Sequence, residues 1–261
     1  MAAEIAFCIL WRLKMDIIAH RGASHEAPEN TLAAVRLAWE QDADAVEVDV
    51  QLSKDSQPVV IHDEDAKRTA GVAGKVSDQT LDRLRRLDVG RWKGEDWIGE
   101  KIPTLDEVLA TVPRGKRLFV EFKCGPPVIP EFKAALERSG TPSAQVVAIG
   151  FSEAIMKAVK TVLREMEVCW ISRFKRNWNT GQWFPTAEQL IQTAKQAGLD
   201  GVDLDASGPV DVELVKELKG AKLKTYVWTV DSPTKARRLA KAGVDGLTTN
   251  RPGWLRQKLA K

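Results

Sequence analysis

Three separated stretches of the chain follow one plan: "AWEQDADAVEVDV" (residues 38–50), "AKQAGLDGVDLDA" (194–206) and "AKAGVDGLTTN" (240–250). Each closes an amphipathic helix, turns tightly through Gly- or Asp-containing residues and enters a short strand. Glycine just past a helix supplies the left-handed conformation that ends it at little cost, and the Asp-Gly or Asp-Ala pair keeps the link short. One helix-to-strand unit, used near both ends of the chain, predicts a repetitive α/β fold.

The rest of the chain fills in the pattern. "DIIAH", "QPVVIH", "RLFVEFK", "QVVAIG", "EVCWIS" and "LKTYVWTV" read as further strands, with helical segments at 31–41, 104–110, 129–138, 153–165, 186–196, 212–218 and 233–242. With residues 59–62 taken as an extension of the second strand region, about eight βα units remain, the number that closes a barrel. The expectation is a single α/β domain over 16–261, a (β/α)8 TIM barrel with a small insertion after the second strand region. That insertion, about 63–101, is rich in Gly, Asp, Arg and Trp. No Pro/Ser-rich linker divides the chain, and an open doubly wound sheet is the alternative. Residues 1–15 read as an N-terminal extension, with Met15 as the alternative native start. Their apolar run is interrupted by Glu4 and is too short to span a bilayer, so no stable membrane insertion is expected.

Composition narrows the partners. A 44% apolar share suffices for a large core, and the net charge of +3 comes from 39 basic and 36 acidic residues without a long block of one sign. Nucleic acid is therefore not an expected partner. Cys8, Cys124 and Cys169 form neither metal spacing nor a disulfide framework, which suits a reducing, cytoplasmic location. The sequence sets no oligomeric state.

Strands of a parallel barrel are covered on both faces and should be almost wholly apolar. Two are not. In "AVEVDVQ", Glu47 and Asp49 alternate with valines and share one face; in "LFVEFK", Glu121 and Lys123 share a face. All four lie toward the C-terminal ends of their strands, where barrel enzymes carry their chemistry. A structural network in which Lys123 pairs one acid is one reading. Three converging carboxylates are balanced more completely by a hard divalent cation with oxygen ligands. Of the three histidines, His20 ends "DIIAH" and His62 ends "PVVIH", so both are placed at that face as a general acid and a general base. His25 lies beyond, in a loop, and reads as a surface residue. Arg21 offers a planar cationic fork for a phosphate. This inventory fits in-line chemistry on a phosphate ester, and the histidine pair suggests a diester, whose leaving alcohol needs a proton. Asp203 and Asp205 repeat the alternation in "GVDLDA" and read as polar lining of the mouth.

The ordered set "HRG…PENT", "VEVDVQLSKDSQPVVIHD", "RTAG", "IPTLDEVL", "VEFK" and "VWTV…AGVDGLTTNRP" resembles the glycerophosphodiester phosphodiesterase family, from about residue 16 to the end. The resemblance implies a (β/α)8 barrel with a small insertion. It implies that His20 and His62 are the catalytic pair, and that Glu47, Asp49 and Glu121 bind one divalent cation, Mg2+ or Ca2+. Arg21 and Lys123 match positions that contact the phosphate of a small glycerophosphodiester. In the route implied, the glycerol's neighbouring hydroxyl attacks the phosphorus, and water opens the resulting cyclic phosphate. Asn30, in "PENT", is expected to cap the first helix. Asn250 stands where the family often has Asp, a change expected to matter little. Phe151, Trp170 and Trp228 end or follow strands at the active face; Trp228, in the motif, is the best candidate for an apolar wall beside the glycerol. The loop 173–185, with Trp178, Trp183 and Phe184, is either a packed loop or a cover that touches substrate or lipid headgroups. Two other functions stay open: a lysophospholipase D-like lipid phosphodiesterase and a non-catalytic phosphodiester-binding barrel.

Overall fold

The computed structural model of the protein describes residues 15–260, so the extension expected before Met15 lies outside the described residues. Eight strands run parallel: β1 (Asp16–His20), β2 (Ala45–Leu52), β3 (Arg117–Phe122), β4 (Val146–Gly150), β5 (Glu167–Ser172), β6 (Gly201–Asp205), β7 (Lys224–Trp228) and β8 (Gly246–Thr249). They hydrogen-bond in the order β1-β8-β7-β6-β5-β4-β3-β2, and β2 pairs back onto β1, which closes the barrel. Around it lie α1 (Leu32–Glu40), α2 (Leu105–Leu109), α3 (Val128–Ser139), α4 (Glu153–Val162), α5 (Ala187–Gln196), α6 (Val212–Gly220), α7 (Pro233–Ala242) and α8 (Pro252–Leu259).

Strand alternation sorts the core into two. Val46, Val48, Val50, Leu118, Val120, Val202 and Leu204 face outward and pack with helix residues such as Val35, Phe132 and Leu239. Ile18, Ala45, Phe119, Val147, Ile149, Cys169, Ile171 and Tyr226 fill the barrel itself. At its N-terminal end the Tyr226 hydroxyl donates to Glu167 (2.6 Å), while Arg117 pairs with Asp16 at 2.6 Å and lies over the Phe119 ring. This end is a packed polar plug.

The repeated Asp of the sequence does more than shorten a turn. Asp44 Oδ2 accepts from Ile17 N, Asp200 Oδ2 from Val168 N and Asp245 Oδ2 from Thr225 N, at 2.9, 2.8 and 2.8 Å. Their backbone carbonyls accept from Arg117, Lys224 and Asp16 on the opposite side. Each Asp thus ties its strand to both neighbours where the backbone would otherwise lack partners.

Residues 59–62 do not extend the second barrel strand. β2 overshoots the rim, and Pro58–Val60 folds back antiparallel along it, pairing Val50 with Val60. The return carries His62 down to the mouth. Beyond it, Asp65–Ala66 and Val72–Lys75 form a small hairpin, and Val59, Ile61, Ala66, Val76, Leu84, Val89 and Ile102 make a separate small core. Asn30 does not cap the first helix. Thr31 does, its hydroxyl accepting from Ala34 N, because Asn30 itself adopts a left-handed φ of 59° in the preceding turn.

Candidate active site

Strand register brings the charged residues together at the C-terminal mouth. Glu47 stands beside His20 across β1 and β2, and Asp49 beside Glu121 across β2 and β3. Carboxylate oxygens of Glu47, Asp49 and Glu121 lie within 4.8 Å of one another, and all three residues are buried. His20, Arg21, Glu47, His62, Glu121, Lys123 and Trp228 all line one cavity of about 90 Å³, with Asp203, Thr248, Ile149, Ile171, Phe151 and Arg173. Asp49 lies beneath it, fully buried.

Gly22 explains the tight "HRG" turn. Its φ is +81°, and a Cβ there would come within 2.5 Å of the Ala34 backbone, so only glycine lets α1 sit this close. Arg21, held at a left-handed φ of 56°, donates its backbone N–H to Glu47 Oε2 (2.9 Å). Its guanidinium pairs with Asp49 Oδ2 at 3.0 Å and donates to Glu29 Oε1 at 2.7 Å. Lys123 Nζ donates to Glu121 Oε1 (2.6 Å) and lies 3.3 Å from Asp49 Oδ1. Asn30 grips Asp49 from both sides, Nδ2 donating to Oδ2 (2.8 Å) and Oδ1 accepting from Asp49 N (3.1 Å).

Two cations do not balance three buried acids. Burial, with Asp49 and Glu121 nearby, drives the Glu47 carboxyl well above the usual range. Burial and Asp49 raise Glu121 to about 7. Asp49 is held low: burial opposes its charge, but Arg21, Lys123 and the Asn30 amide outweigh it. Glu47 Oε1 and Asp49 Oδ1 are buried without a hydrogen bond. Hard oxygen donors, unbonded and converging, suit a divalent cation.

Each histidine has a fixed partner. His20 Nδ1 lies 2.7 Å from Asn250 Oδ1. Asn250 Nδ2 donates to Asp231 Oδ2 (2.6 Å), which fixes the amide orientation and requires the proton on His20 Nδ1. Burial and Arg21 hold the His20 pKa below its ordinary 6.5. His62 Nδ1 lies 2.7 Å from Asp63 Oδ1. Asp63 also pairs with Arg68 (2.7 Å), and Arg68 with Glu29 (2.8 Å). The side chain of Gln51 donates to the backbone oxygens of His62 and Asp63. The two histidine loops are thus joined by one chain of charges through Arg21, Glu29, Arg68 and Asp63. Sequence reasoning gave no role to Glu29, Asp63 or Asp231 and discounted Asn250; "HD" and "PENT" held the first two in plain view.

The aromatic candidates divide. Phe151 and Trp228 meet edge to face at 5.8 Å, and Arg173 caps both rings. Trp170 instead packs into the outer core and donates to Phe151 O (3.0 Å). The loop after Arg173 is a short hairpin, Lys175–Arg176 with Trp183–Phe184, and Trp178 on it is 88% exposed. His25 is exposed, as expected. Asp203 is buried and its carboxyl is pushed well above the usual range by burial and Glu121, whereas Asp205 accepts from Ser207 N in a turn.

A closed barrel that gathers two imidazoles, two basic side chains and an acidic trio at its mouth carries the inventory of a phosphoric diester hydrolase. Known proteins agree. The model of the glycerophosphoryl diester phosphodiesterase family matches residues 20–254. A glycerophosphodiester phosphodiesterase of Caldanaerobacter subterraneus subsp. tengcongensis is 36% identical over 255 residues, 92% of this chain and 96% of that protein. One from Bacillus subtilis is 29% identical over 259 residues, 90% of this chain and 83% of that protein. The structure of an Oleispira antarctica phosphodiesterase in complex with the product sn-glycerol-3-phosphate matches with a TM-score of 0.84 at 28% identity, over 94% of this chain and 97% of that one. This chain belongs to the glycerophosphoryl diester phosphodiesterase family.

Proposed function

We propose that the protein hydrolyses small glycerophosphodiesters to glycerol 3-phosphate and an alcohol, with His20 and His62 as the acid–base pair. The observation that carries this is the placement of both imidazoles on one small cavity with Glu47, Glu121, Arg21 and Lys123. The Oleispira relative, solved with sn-glycerol-3-phosphate, supports the choice of substrate.

Glu47, Asp49 and Glu121 would hold the divalent cation, Mg2+ or Ca2+. When bound, it supplies positive charge against the phosphate oxygens as negative charge builds on them. Lys123 and Arg21 add to that charge, each anchored by an acid that sets its direction. His20, protonated at Nδ1 and with a lowered pKa, keeps Nε2 as a free base at neutral pH. It takes the proton of the attacking hydroxyl, which in the glycerol moiety is the neighbouring one. Attack within a single bound molecule gains from proximity. His62, its ring held through Nδ1 by the Asp63 carboxylate, hands a proton to the leaving alcohol. Water then opens the cyclic phosphate with the roles reversed. Trp228 and Phe151 form the apolar wall beside the glycerol carbons.

The groove beyond Arg173 is lined by Lys175, Phe184, Pro185 and the helix residues Gln189, Gln192 and Gln196. Its glutamine amides and Lys175 offer hydrogen bonds to a headgroup, beside the apolar Phe184 and Pro185. Among the described residues no helix is long and apolar enough to cross a membrane. The test is product analysis with glycerophosphocholine, glycerophosphoethanolamine and lysophosphatidylcholine as substrates. Glycerol 3-phosphate from the first two is expected. Lysophosphatidic acid as the main product would make this a lipid phosphodiesterase, and no product from a folded sample would leave a binding barrel.

A further inference from the structure

In the hydrogen-bond order of the barrel, β6 lies four strands from β2 in either direction, so Asp203 faces the acid trio from the opposite wall. Its strand neighbours in register are Ile171 and Tyr226. With Ile149 and Ile171, the inner layer here is apolar, as barrel interiors normally are. Asp203 interrupts it, only 3% exposed, yet it lines the same cavity as the histidines. Its Oδ1 is buried without a hydrogen-bond partner, and among the described residues no cation pairs with it. The unbonded oxygens of Glu47 and Asp49 are accounted for by the cation they would share; that of Asp203 is not. A buried polar atom without a partner is destabilising and calls for a ligand in the working state.

We infer that Asp203 binds the terminal hydroxyl of the glycerol moiety and so selects glycerol over shorter diols. The inference rests on the proposed reaction. A phosphate held by Arg21 and Lys123, on the β1–β3 side, leaves the glycerol to cross the cavity toward β6. The neighbouring hydroxyl is consumed by the chemistry. The terminal one is the polar group left over, and Asp203 is the polar group left over on the opposite wall.

The test compares glycerophosphocholine with 2-hydroxyethyl phosphocholine, which keeps the neighbouring hydroxyl and lacks the terminal hydroxymethyl group. Wild type is expected to favour the glycerol diester by roughly 10- to 100-fold in kcat/KM, the range for one buried hydrogen bond lost. Asp203→Leu is expected to bring that ratio to within about threefold of one, and Asp203→Asn to retain most of it. Asp203→Ala carries the same comparison if the leucine variant fails to fold. A preference that survives in these apolar variants, or that is missing in wild type, overturns the role of Asp203 alone. Failure of wild type to cleave either diester overturns the proposed reaction itself.

Discussion

Asn250 shows how one atom's placement sets a histidine's role. Its Oδ1 accepts from His20, and its Nδ2 is claimed by Asp231, so the ring is held with Nε2 free. Burial and Arg21 lower the His20 pKa below 6.5, which suits the base role proposed for it. The acidic limb of the kcat/KM profile is therefore expected below that value. Asn250→Asp places a carboxylate on Nδ1 and stabilises the imidazolium. The limb should then move to higher pH, by about one unit or more for a charge at hydrogen-bond distance. A pH–rate profile of the two proteins checks this, and an unmoved limb would remove His20 from the base role. The sequence showed Asn250 as a departure from a motif but not its contact, because 230 residues separate it from His20. Strand closure, β8 against β1, makes them neighbours.

At the scale of elements, the Asp of each repeated unit ties three strands together. Asp245→Ala removes the acceptor of Thr225 N, which is held at 2.8 Å, at a site remote from the mouth. A loss of about 1–3 kcal/mol in unfolding free energy is expected, with kcat unchanged in the folded fraction. Urea unfolding and a parallel activity assay decide it; a loss of kcat would mean that the barrel transmits strain from base to mouth. The repeats were the most legible feature of the chain, since helix end, turn and strand entry all show in local residue choice. The acid alternation in β2 and β3 was legible for the same reason: period two assigns faces without tertiary knowledge. Residues 59–62 were misread because an apolar run does not reveal direction. Only Pro58–Val60 pairing antiparallel with β2 explains how His62 reaches the rim. The eighth helix, Pro252–Leu259, also escaped notice: its apolar positions are few, and it is fixed by packing on the barrel.

For the whole molecule, the acid trio links stability to pH. Burial and Asp49 raise Glu121 to about 7 from an ordinary 4.5, so the folded state holds a proton that the unfolded state has already released across that window. Through Glu121, stability of the metal-free protein should therefore fall as pH rises from about 4.5 to about 7, and Glu47, raised well above the usual range by burial, acts in the same sense. Below it, Glu29 acts in the opposite sense. Burial opposes its charge, but Arg68 and Arg21 hold its pKa down, so its contribution is lost as pH falls. A divalent cation held by the ionised trio, as proposed, should raise Tm more at pH 8 than at pH 5.5. A rise of about 3–6 °C is expected, since 1 kcal/mol is worth roughly 2–4 °C in a chain of this size. Calorimetry at the two pH values, with and without Mg2+ or Ca2+, reads it directly; equal shifts at both would detach the cation from the trio.

The most direct test of the account is release of glycerol 3-phosphate from glycerophosphocholine by protein treated with EDTA, then with Mg2+ or Ca2+ restored, beside His20→Ala. Release that stops with EDTA, returns with the cation and falls by roughly 100-fold or more in the variant is the expected result. Release that persists in EDTA, or that His20→Ala retains, would contradict a reaction built on the acid trio and its paired histidines.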